Sequence, residues 1–202
     1  MATQTILPAA EFDAALEALD DRLPLAIAIT DIDYFQDVNE TYGRAAGDAV
    51  LRSFERTLGG SLPRDALVGR ISGDSYAVAL PELSAESALI VLEEIRVHFS
   101  AHEVEGVPKP VHLSIGVAAR PPHATTVGDL MRAADEALSR AKREGRGRVA
   151  IYVEDKMTLK SNYYAKGMLN RLSKLSSATG RTEASLLREA LEDLLAKHRS
   201  EL

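Results

Sequence analysis

The chain has 202 residues, 46% of them hydrophobic and 27% charged, which is typical of folded globular proteins and excludes the disordered and fibrous classes. It contains no cysteine, so disulfides, thiolate metal sites and cysteine nucleophiles are excluded, and a cytoplasmic location is expected. We expect neither a signal peptide nor a membrane partner, because no apolar run approaches the ~20 residues that cross a bilayer.

The formal charge of −6 is distributed unevenly along the chain. Residues 1–152 carry 15 basic and 23 acidic side chains, whereas residues 156–188 carry seven basic side chains and one acidic side chain. This change of sign predicts two domains, an acidic one over 1–152 and a small basic one over 153–202.

In the first domain, apolar runs of strand length alternate with apolar residues at helical spacing. Ser84 is expected to cap a helix, and Gly59 and Gly60 are expected to end an earlier one. This order predicts an α/β sandwich around a mainly antiparallel sheet. The predicted elements are, in chain order, a buried strand over 25–29, a helix over 50–58, a hairpin with strands over 67–71 and 76–80, a helix over 88–99, a strand over 111–117 and a helix over 130–141.

Two carboxylates occupy positions where a metal site is expected. Asp31 ends the first predicted strand, and Asp74 lies in the hairpin turn, which can lie beside that strand end. Such a pair can hold Mg²⁺, which prefers oxygen ligands and keeps waters and substrate phosphates around it. Metal ions held in this way stabilise the attacking and leaving oxygens of phosphoryl transfer. The alternative is structural: Asp31 caps the turn that follows it, and Asp74 forms a turn.

Several longer blocks of sequence extend this pattern. In order they read DIDYFQDVNETYG at 31–43, GD at 47–48, RISGDSY at 70–76, LSIGV at 113–117 and AKREGR at 141–146. Together they resemble the GGDEF family of diguanylate cyclases over about residues 5–152. The resemblance implies a polymerase-palm-like domain that, in active members, condenses two GTP molecules into cyclic di-GMP.

The resemblance also implies roles for individual residues, including Asp74 as the catalytic residue of an active enzyme and Mg²⁺ as the cofactor. Carried over by position, these roles fall on Asp31, the carbonyl of Ile32 and Asp74 for the metal, Asn39 and Asp48 for the guanine edge, Lys142 and Arg146 for the phosphates, Gly73 for close approach of backbone to phosphate, and Tyr34 and Phe35 for the wall of the nucleotide pocket.

The sequence departs from the family at positions that bear on catalysis. Ser75 replaces a glutamate of the signature, and Gln36 replaces a lysine that active members place near the phosphates. Each loss removes a charged group of the site, so we expect nucleotide binding with very slow or undetectable turnover. Pro63 and Ala66 stand where the family's inhibitory product site has an arginine and an aspartate, which predicts that this site is missing.

The basic tail has a short alternating stretch followed by two leucine-rich helical patterns. Over about residues 156–198 it resembles the ribbon-helix-helix family of DNA-binding proteins, most clearly in TGRTEASLLREAL at 179–191. The resemblance implies a homodimer through residues 153–202 that reads double-stranded DNA. The alternative is a tail that only dimerises. The DNA-contacting positions implied are Thr158, Lys160, Asn162, Arg181 and Thr182.

Three functional hypotheses follow from these two resemblances. The main one is a cytoplasmic, homodimeric DNA-binding regulator whose degenerate GGDEF domain binds cyclic di-GMP or GTP as an effector. The alternative is an active diguanylate cyclase, in which the tail brings two nucleotide sites together. A third hypothesis makes the first domain a protein-interaction platform without a ligand.

Overall fold

The computed structural model describes residues 5–124, 126–153, 164–179 and 183–198. The chain divides into two compact units, residues 1–156 and 157–202. The first unit contains β1 (Ile6–Pro8), α1 (Ala9–Glu17), β2 (Leu25–Ile32), α2 (Phe35–Tyr42), α3 (Arg44–Ser61), β3 (Leu67–Ser72), β4 (Ser75–Pro81), α4 (Ala85–Ala101), β5 (Leu113–Arg120), α5 (Val127–Arg143) and β6 (Val149–Ile151). The second contains α6 (Lys166–Thr179) and α7 (Glu183–Lys197).

The strands of the first unit form one six-stranded sheet in the order β1-β3-β4-β2-β5-β6. Its four central strands are antiparallel, as the sequence predicts, with β2 between β4 and β5. The edge strands β1 and β6 are parallel to β3 and β5, so the sheet is mixed. The sequence did not predict these edge strands, because three residues are too few to show an alternating pattern.

Two separate cores cover the two faces of the sheet. Side chains of α3 and α4 pack on one face, where Phe54 contacts Phe99 edge to face at 5.3 Å between ring centroids. Side chains of α1 and α5 pack on the other face, together with alternate residues of β2. The sheet is therefore buried on both sides, which explains why β2 appears in the sequence as a continuous apolar run.

The three predicted helices are present as α3, α4 and α5, and each extends two to six residues beyond its predicted range. Ser84 caps α4 by accepting a hydrogen bond from the Ser87 backbone N–H, as expected. The prediction that Gly59 and Gly60 end α3 is wrong, because the helix continues through both to Ser61. A glycine inside a helix costs only about 1 kcal/mol, and the packing of Phe54 and Leu58 in the core offsets that cost.

The second unit is a pair of helices at the positions that the leucine pattern predicts. Leu186 is buried, whereas most of the described large apolar side chains of α6 and α7 are exposed. The alternating stretch over 157–163 lies outside the described residues. Across the described ranges, no helix combines the length and apolar character needed to span a membrane. The most exposed of the large apolar side chains on α6 and α7 are Met168, Leu175, Leu191 and Leu194.

Candidate active site

Asp31 lies near the end of β2 with both carboxylate oxygens engaged. Ser75, its partner across the β2–β4 ladder, donates its hydroxyl to Asp31 Oδ2 at 2.9 Å. Lys142, in the last turn of α5, places Nζ 2.7 Å from Asp31 Oδ1. The carboxylate is thus oriented by β4 on one side and by α5 on the other.

Asp74 lies in the two-residue turn between β3 and β4, beside Asp31. The turn is tied to β2, because the Ile32 backbone N–H donates to the Asp74 carbonyl at 3.4 Å. Burial, and secondarily the negative charge of Asp31, raise the pKa of the Asp74 carboxyl. The structure therefore brings the two predicted metal-binding carboxylates together at one end of the sheet.

These residues fit Mg²⁺ by the chemistry of their donors. Mg²⁺ is typically held by one or two carboxylates, with waters and substrate phosphates completing its coordination. Burial contributes most to the raised pKa of Asp74 and the negative charge of Asp31 comes second, and a bound cation would neutralise that charge. Among the described residues no group of three or more His, Cys, Asp or Glu side chains is placed to hold a metal. The carboxylates that the sequence predicts for the metal are the pair Asp31 and Asp74.

The glycine turn beside Asp74 is supported by a side-chain network. Arg70 donates through Nε to the Gly73 carbonyl at 3.2 Å, and Arg70 Nη1 lies 3.9 Å from a carboxylate oxygen of Glu55. Tyr76 donates its hydroxyl to the same Glu55 at 2.9 Å, and burial together with this bond raises the Tyr76 pKa. A Cβ at Gly73 would meet nothing within 4 Å, so the surface of the turn is open.

The predicted guanine-binding residues lie on α2 and α3. Asn39 donates from Nδ2 to the Phe35 carbonyl at 3.1 Å, which fixes its amide on α2. A Cβ at Gly47 would lie 2.1 Å from Asn39 Oδ1, so the glycine makes room for this amide. Asp48 is the next residue and is exposed on α3. The structure therefore brings α3 against Asn39 at Gly47, one residue before Asp48.

Tyr34 and Arg146 form an exposed stacked pair near the end of β2. Tyr34 precedes α2 in a left-handed conformation, with φ of 58°, and is 63% exposed. The guanidinium carbon of Arg146 lies 4.8 Å from the centre of its ring, a distance typical of a cation–π contact. Phe35, the other predicted wall residue, is partly buried and packs against the core beneath α3 and α4.

Asp33 is a site residue to which the sequence reasoning assigned no role. It is 4% exposed and binds Arg146, Gly147 and Ser114. Its spacing from Asp31, two residues along the same strand end, was the only signal in the sequence. The partners that explain its burial lie more than 80 residues away along the chain.

All the predicted DNA-contacting residues lie outside the described residues.

The first unit, which carries the candidate site, has clear relatives among known proteins. A sequence profile described as "Diguanylate cyclase, GGDEF domain" matches residues 8–148. The chain therefore belongs to the GGDEF diguanylate cyclase family.

Curated relatives point to the same family. A probable diguanylate cyclase of Escherichia coli, DgcT, is 31% identical over 134 residues, which is 64% of this chain and 30% of that protein. The diguanylate cyclase TpbB of Pseudomonas aeruginosa is 36% identical over 137 residues, which is 66% of this chain and 32% of that protein. The chain thus spans about a third of the length of these relatives.

Solved structures share the fold. The GGDEF domain of TpbB from Pseudomonas aeruginosa has a TM-score of 0.69 and 33% identity, covering 75% of this chain and 99% of that one. The active GGEEF domain of a diguanylate cyclase from Vibrio cholerae has a TM-score of 0.65 and 30% identity, covering 72% and 94%. These relatives and structures favour the cyclase hypothesis over the DNA-binding one.

Proposed function

We propose that this chain binds GTP with Mg²⁺ at the end of β2 and joins two GTP molecules into cyclic di-GMP at a low rate. The observation that carries the proposal is the juxtaposition of Asp31, Asp74 and Lys142, in which two carboxylates and an ammonium group from separate elements meet. The reaction forms two phosphodiester bonds and releases two pyrophosphates, so it needs groups that hold phosphate and a metal.

The nucleotide is held by groups at both ends. Asn39 and Asp48 read the guanine edge, where an amide and a carboxylate supply complementary acceptors and donors. Lys142 and Arg146 hold the phosphates, since both cations are anchored at the end of β2 by Asp31 and Asp33. Their present partners are Asp31 and Asp33, which orient the cations without filling the turn.

Asp31, the Ile32 carbonyl and Asp74 would hold Mg²⁺, which would supply Lewis-acid stabilisation of the phosphoryl oxygens. Asp74 is the catalytic residue, because it is the carboxylate of the signature that lies in the open turn. Asp31 is held in position by Ser75 and Lys142 and serves as the fixed metal ligand.

Two residues of this chain lower the expected rate. Ser75 offers a hydroxyl where a glutamate of the family would add a carboxylate, and that hydroxyl is bonded to Asp31. Gln36 donates to Glu40 Oε1 at 2.7 Å on the surface of α2, so it brings no positive charge to the phosphates. Loss of one preorganised charged or polar group in comparable sites costs about 10²–10³ in rate.

Cyclisation needs two nucleotide sites, which a single copy of the chain does not provide. The exposed apolar residues of α6 and α7 favour association of two copies, since a pair of helices rarely leaves so many large apolar side chains exposed to water. We assign dimerisation to residues 153–202 for this reason.

Calorimetric titration tests the nucleotide site directly. We expect GTP to bind in the presence of Mg²⁺ and ATP to bind at least about 100-fold more weakly, because a site that pairs with a base edge rejects a base lacking the matching groups. Asp48→Ala should lower the GTP affinity towards that of ATP. Binding of neither nucleotide would leave only the interaction-platform hypothesis for this unit, whereas equal binding of both would exclude recognition of the guanine edge by Asn39 and Asp48.

DNA binding remains a prediction that rests on the charge of the tail. Residues 156–188 carry seven basic side chains and one acidic side chain, which favours an anionic partner. Titration of duplex DNA at several salt concentrations tests it with Lys160→Ala as the variant. A steep fall in affinity with salt, reduced in the variant, would restore the regulator hypothesis, whereas no salt-dependent binding would leave the tail as a dimerisation device.

A further inference from the structure

Asp33 is a buried carboxylate that joins three separate parts of the chain. It accepts a hydrogen bond from the Ser114 hydroxyl on β5 at 2.7 Å and from the Gly147 backbone N–H at 3.0 Å. Arg146 Nη1 lies 3.3 Å from its Oδ1. A carboxylate that is only 4% exposed is costly unless it is paired and bonded in this way, so the three contacts act as a unit.

The segment that Asp33 holds has an unusual backbone. Gly145, Arg146 and Gly147 follow α5 with φ values of 115°, 62° and 58°, all in the left-handed region. Glycine adopts this region freely, but an arginine there is disfavoured unless the surroundings hold it. The Arg146 N–H donates to the Ala141 carbonyl at 3.0 Å, and Asp33 binds the next N–H and the Arg146 side chain.

These contacts also fix where the Arg146 guanidinium lies. One edge is bound by Asp33, and its face lies over the Tyr34 ring. The side chain is still 33% exposed, so part of the guanidinium is available to a ligand. Lys142, four residues before Arg146 in the chain, pairs with Asp31. Two carboxylates from the end of the same strand therefore hold both cations.

We propose that Asp33 is the positioning residue for phosphate recognition: it holds the 145–147 segment so that Arg146 presents its free N–H groups to the phosphates of the bound nucleotide. This inference rests on the proposed function, because it takes Arg146 as a phosphate-binding group. Asp33 itself touches no substrate; it acts through Arg146.

The proposal predicts that Asp33→Asn weakens GTP binding, whereas a simple charge effect would strengthen it. Removing a negative charge next to a phosphate site strengthens anion binding through space. Removing the group that orients Arg146 weakens it, because an amide at this position accepts through only one oxygen and sets an NH₂ group against the donors that surround it. Asp33→Asn therefore separates positioning from charge.

The test measures GTP affinity by calorimetry and guanosine affinity by ligand-observed NMR, for the full chain and for Asp33→Asn. We expect the GTP affinity to fall by about tenfold or more, since hydrogen bonds to charged groups are involved. Guanosine has the base but no phosphate, so its affinity should stay within about twofold. The double variant Asp33→Asn/Arg146→Ala should bind GTP no more weakly than Arg146→Ala alone.

Two further variants keep the test decisive. Asp129→Asn removes a carboxylate from an exposed pair with Arg132 at the opposite end of α5, and it should leave the GTP affinity unchanged. Ser114→Ala deletes only one of the three contacts and should show a smaller loss of GTP affinity in the same direction. It replaces Asp33→Asn in the test if that variant does not fold.

Unchanged or tighter GTP binding in Asp33→Asn, or in Ser114→Ala where it replaces that variant, would overturn the inference. So would equal losses for GTP and guanosine. A full chain that binds no GTP at all would instead overturn the proposed function.

Discussion

Ser75 stands directly opposite Asp31 in the β2–β4 ladder, where its hydroxyl donates to Asp31 Oδ2. A glutamate at this position would place another carboxylate against Asp31 and Asp74, which a metal ion would have to neutralise. The serine gives a site with less negative charge and an Asp31 carboxylate held by a hydrogen bond. The proposed reaction then lacks one charged group that the family's glutamate would supply. Under the proposed function, this one residue allows nucleotide binding but lowers the rate of conversion.

Restoring the carboxylate should raise the rate of cyclisation. We expect Ser75→Glu to form cyclic di-GMP from GTP at least about tenfold faster than the native chain, because a charged group returns beside the metal site. Chromatographic product analysis over time measures it. Ser75→Gln has nearly the same shape without the charge, so an equal rise in that control would contradict the explanation.

Asp74 should make the metal-free fold less stable at neutral pH than an uncharged residue would. Burial and Asp31 raise its folded-state pKa, so its favourable contribution is complete below the ordinary value of 3.8 and is lost as the pH rises through the raised pKa. Asp74→Asn should therefore melt at a higher temperature than the native chain at pH 7 in chelator. The difference should shrink as the pH falls towards 3.8.

Asp129 supplies a control of opposite sign for that melting experiment. The Thr126 hydroxyl, and then Arg132, lower its pKa, so its contribution is present at neutral pH and is lost as the pH falls through the lowered pKa. Asp129→Asn should therefore melt at a lower temperature than the native chain at pH 7. A destabilised Asp74→Asn at pH 7 would contradict the crowding of negative charge around Asp31 and Asp74.

At the scale of residues, the sequence predicted the candidate metal-binding carboxylates but not the side chains that hold the site together. Asp31 and Asp74 could be predicted because each lies at a position that the local sequence defines, the end of an apolar strand and the turn of a hairpin. The partners of Asp33 could not be predicted, because Ser114 and Gly147 approach it only when β5 and the end of α5 close on β2. Long-range contacts of this kind carry no local sequence signal.

At the scale of elements, the packing of α5 on β5 decides where Lys142 and Arg146 lie. Gly116 is the point of closest approach: a Cβ there would lie 2.1 Å from the Ala134 carbonyl oxygen and 2.1 Å from the Leu138 nitrogen. Backbone atoms of a packed helix cannot move aside as a side-chain end can. The glycine therefore sets the distance between α5 and the sheet.

A methyl group at this contact should destabilise the fold. We expect Gly116→Ala to lower the free energy of unfolding by about 3 kcal/mol or more, the upper end for overpacked cores, since the clash is with backbone. Gly128→Ala, in the first turn of the same helix with nothing within 4 Å, should instead gain up to about 1 kcal/mol. Urea denaturation compares the two, and similar effects would contradict this packing role.

Gly47 plays a different part, between α3 and the Asn39 amide. Because the clashing atom is the end of a flexible side chain, Gly47→Ala should displace Asn39 while changing the stability by less than about 1 kcal/mol. The GTP affinity should then fall by about tenfold, through a lost hydrogen bond to the base. Gly60→Ala, on the same helix in open space, is the matched control. Equal GTP affinities in both variants would exclude Asn39 from base recognition.

The long elements were predictable and the short ones were not. β2, the β3–β4 hairpin, α4 and α5 each have enough residues for a clear period, and packing against the sheet enforces it. α2 has eight residues and one fully buried side chain, Val38, so its amphipathic pattern is weak. It nevertheless carries Asn39, the residue predicted to bind the guanine edge, so a weak amphipathic pattern does not exclude a candidate site residue.

At the scale of the whole molecule, the proposed cyclisation requires two copies of the chain. Leu191 and Leu194 are 56% and 54% exposed on α7, which is unusual for leucines of a helical hairpin in water. Burying this surface in a second copy would remove it from water and would join two nucleotide-binding units in one assembly. A dimer formed through α7 would therefore explain the exposed leucines and would also provide the two nucleotide sites that the proposed cyclisation needs.

A charge placed in that surface should break the assembly. We expect Leu191→Asp to sediment as a monomer where the native chain sediments as a dimer, because a carboxylate in an apolar interface is strongly disfavoured. Ser173→Asp puts the same charge at an exposed polar position of α6 and should stay dimeric. GTP binding should survive in both variants while cyclisation is lost in Leu191→Asp. A monomeric native chain would refute the assignment of dimerisation to the tail.

The most direct test of the central claim is product analysis of the purified chain incubated with GTP and Mg²⁺. We predict slow, linear formation of cyclic di-GMP that stops in Asp74→Ala, because that change removes the catalytic carboxylate while leaving the guanine-binding residues intact. The same amount of product from native and variant protein, or no product from the native chain after prolonged incubation at concentrations where it is dimeric and saturated with GTP, would contradict the claim.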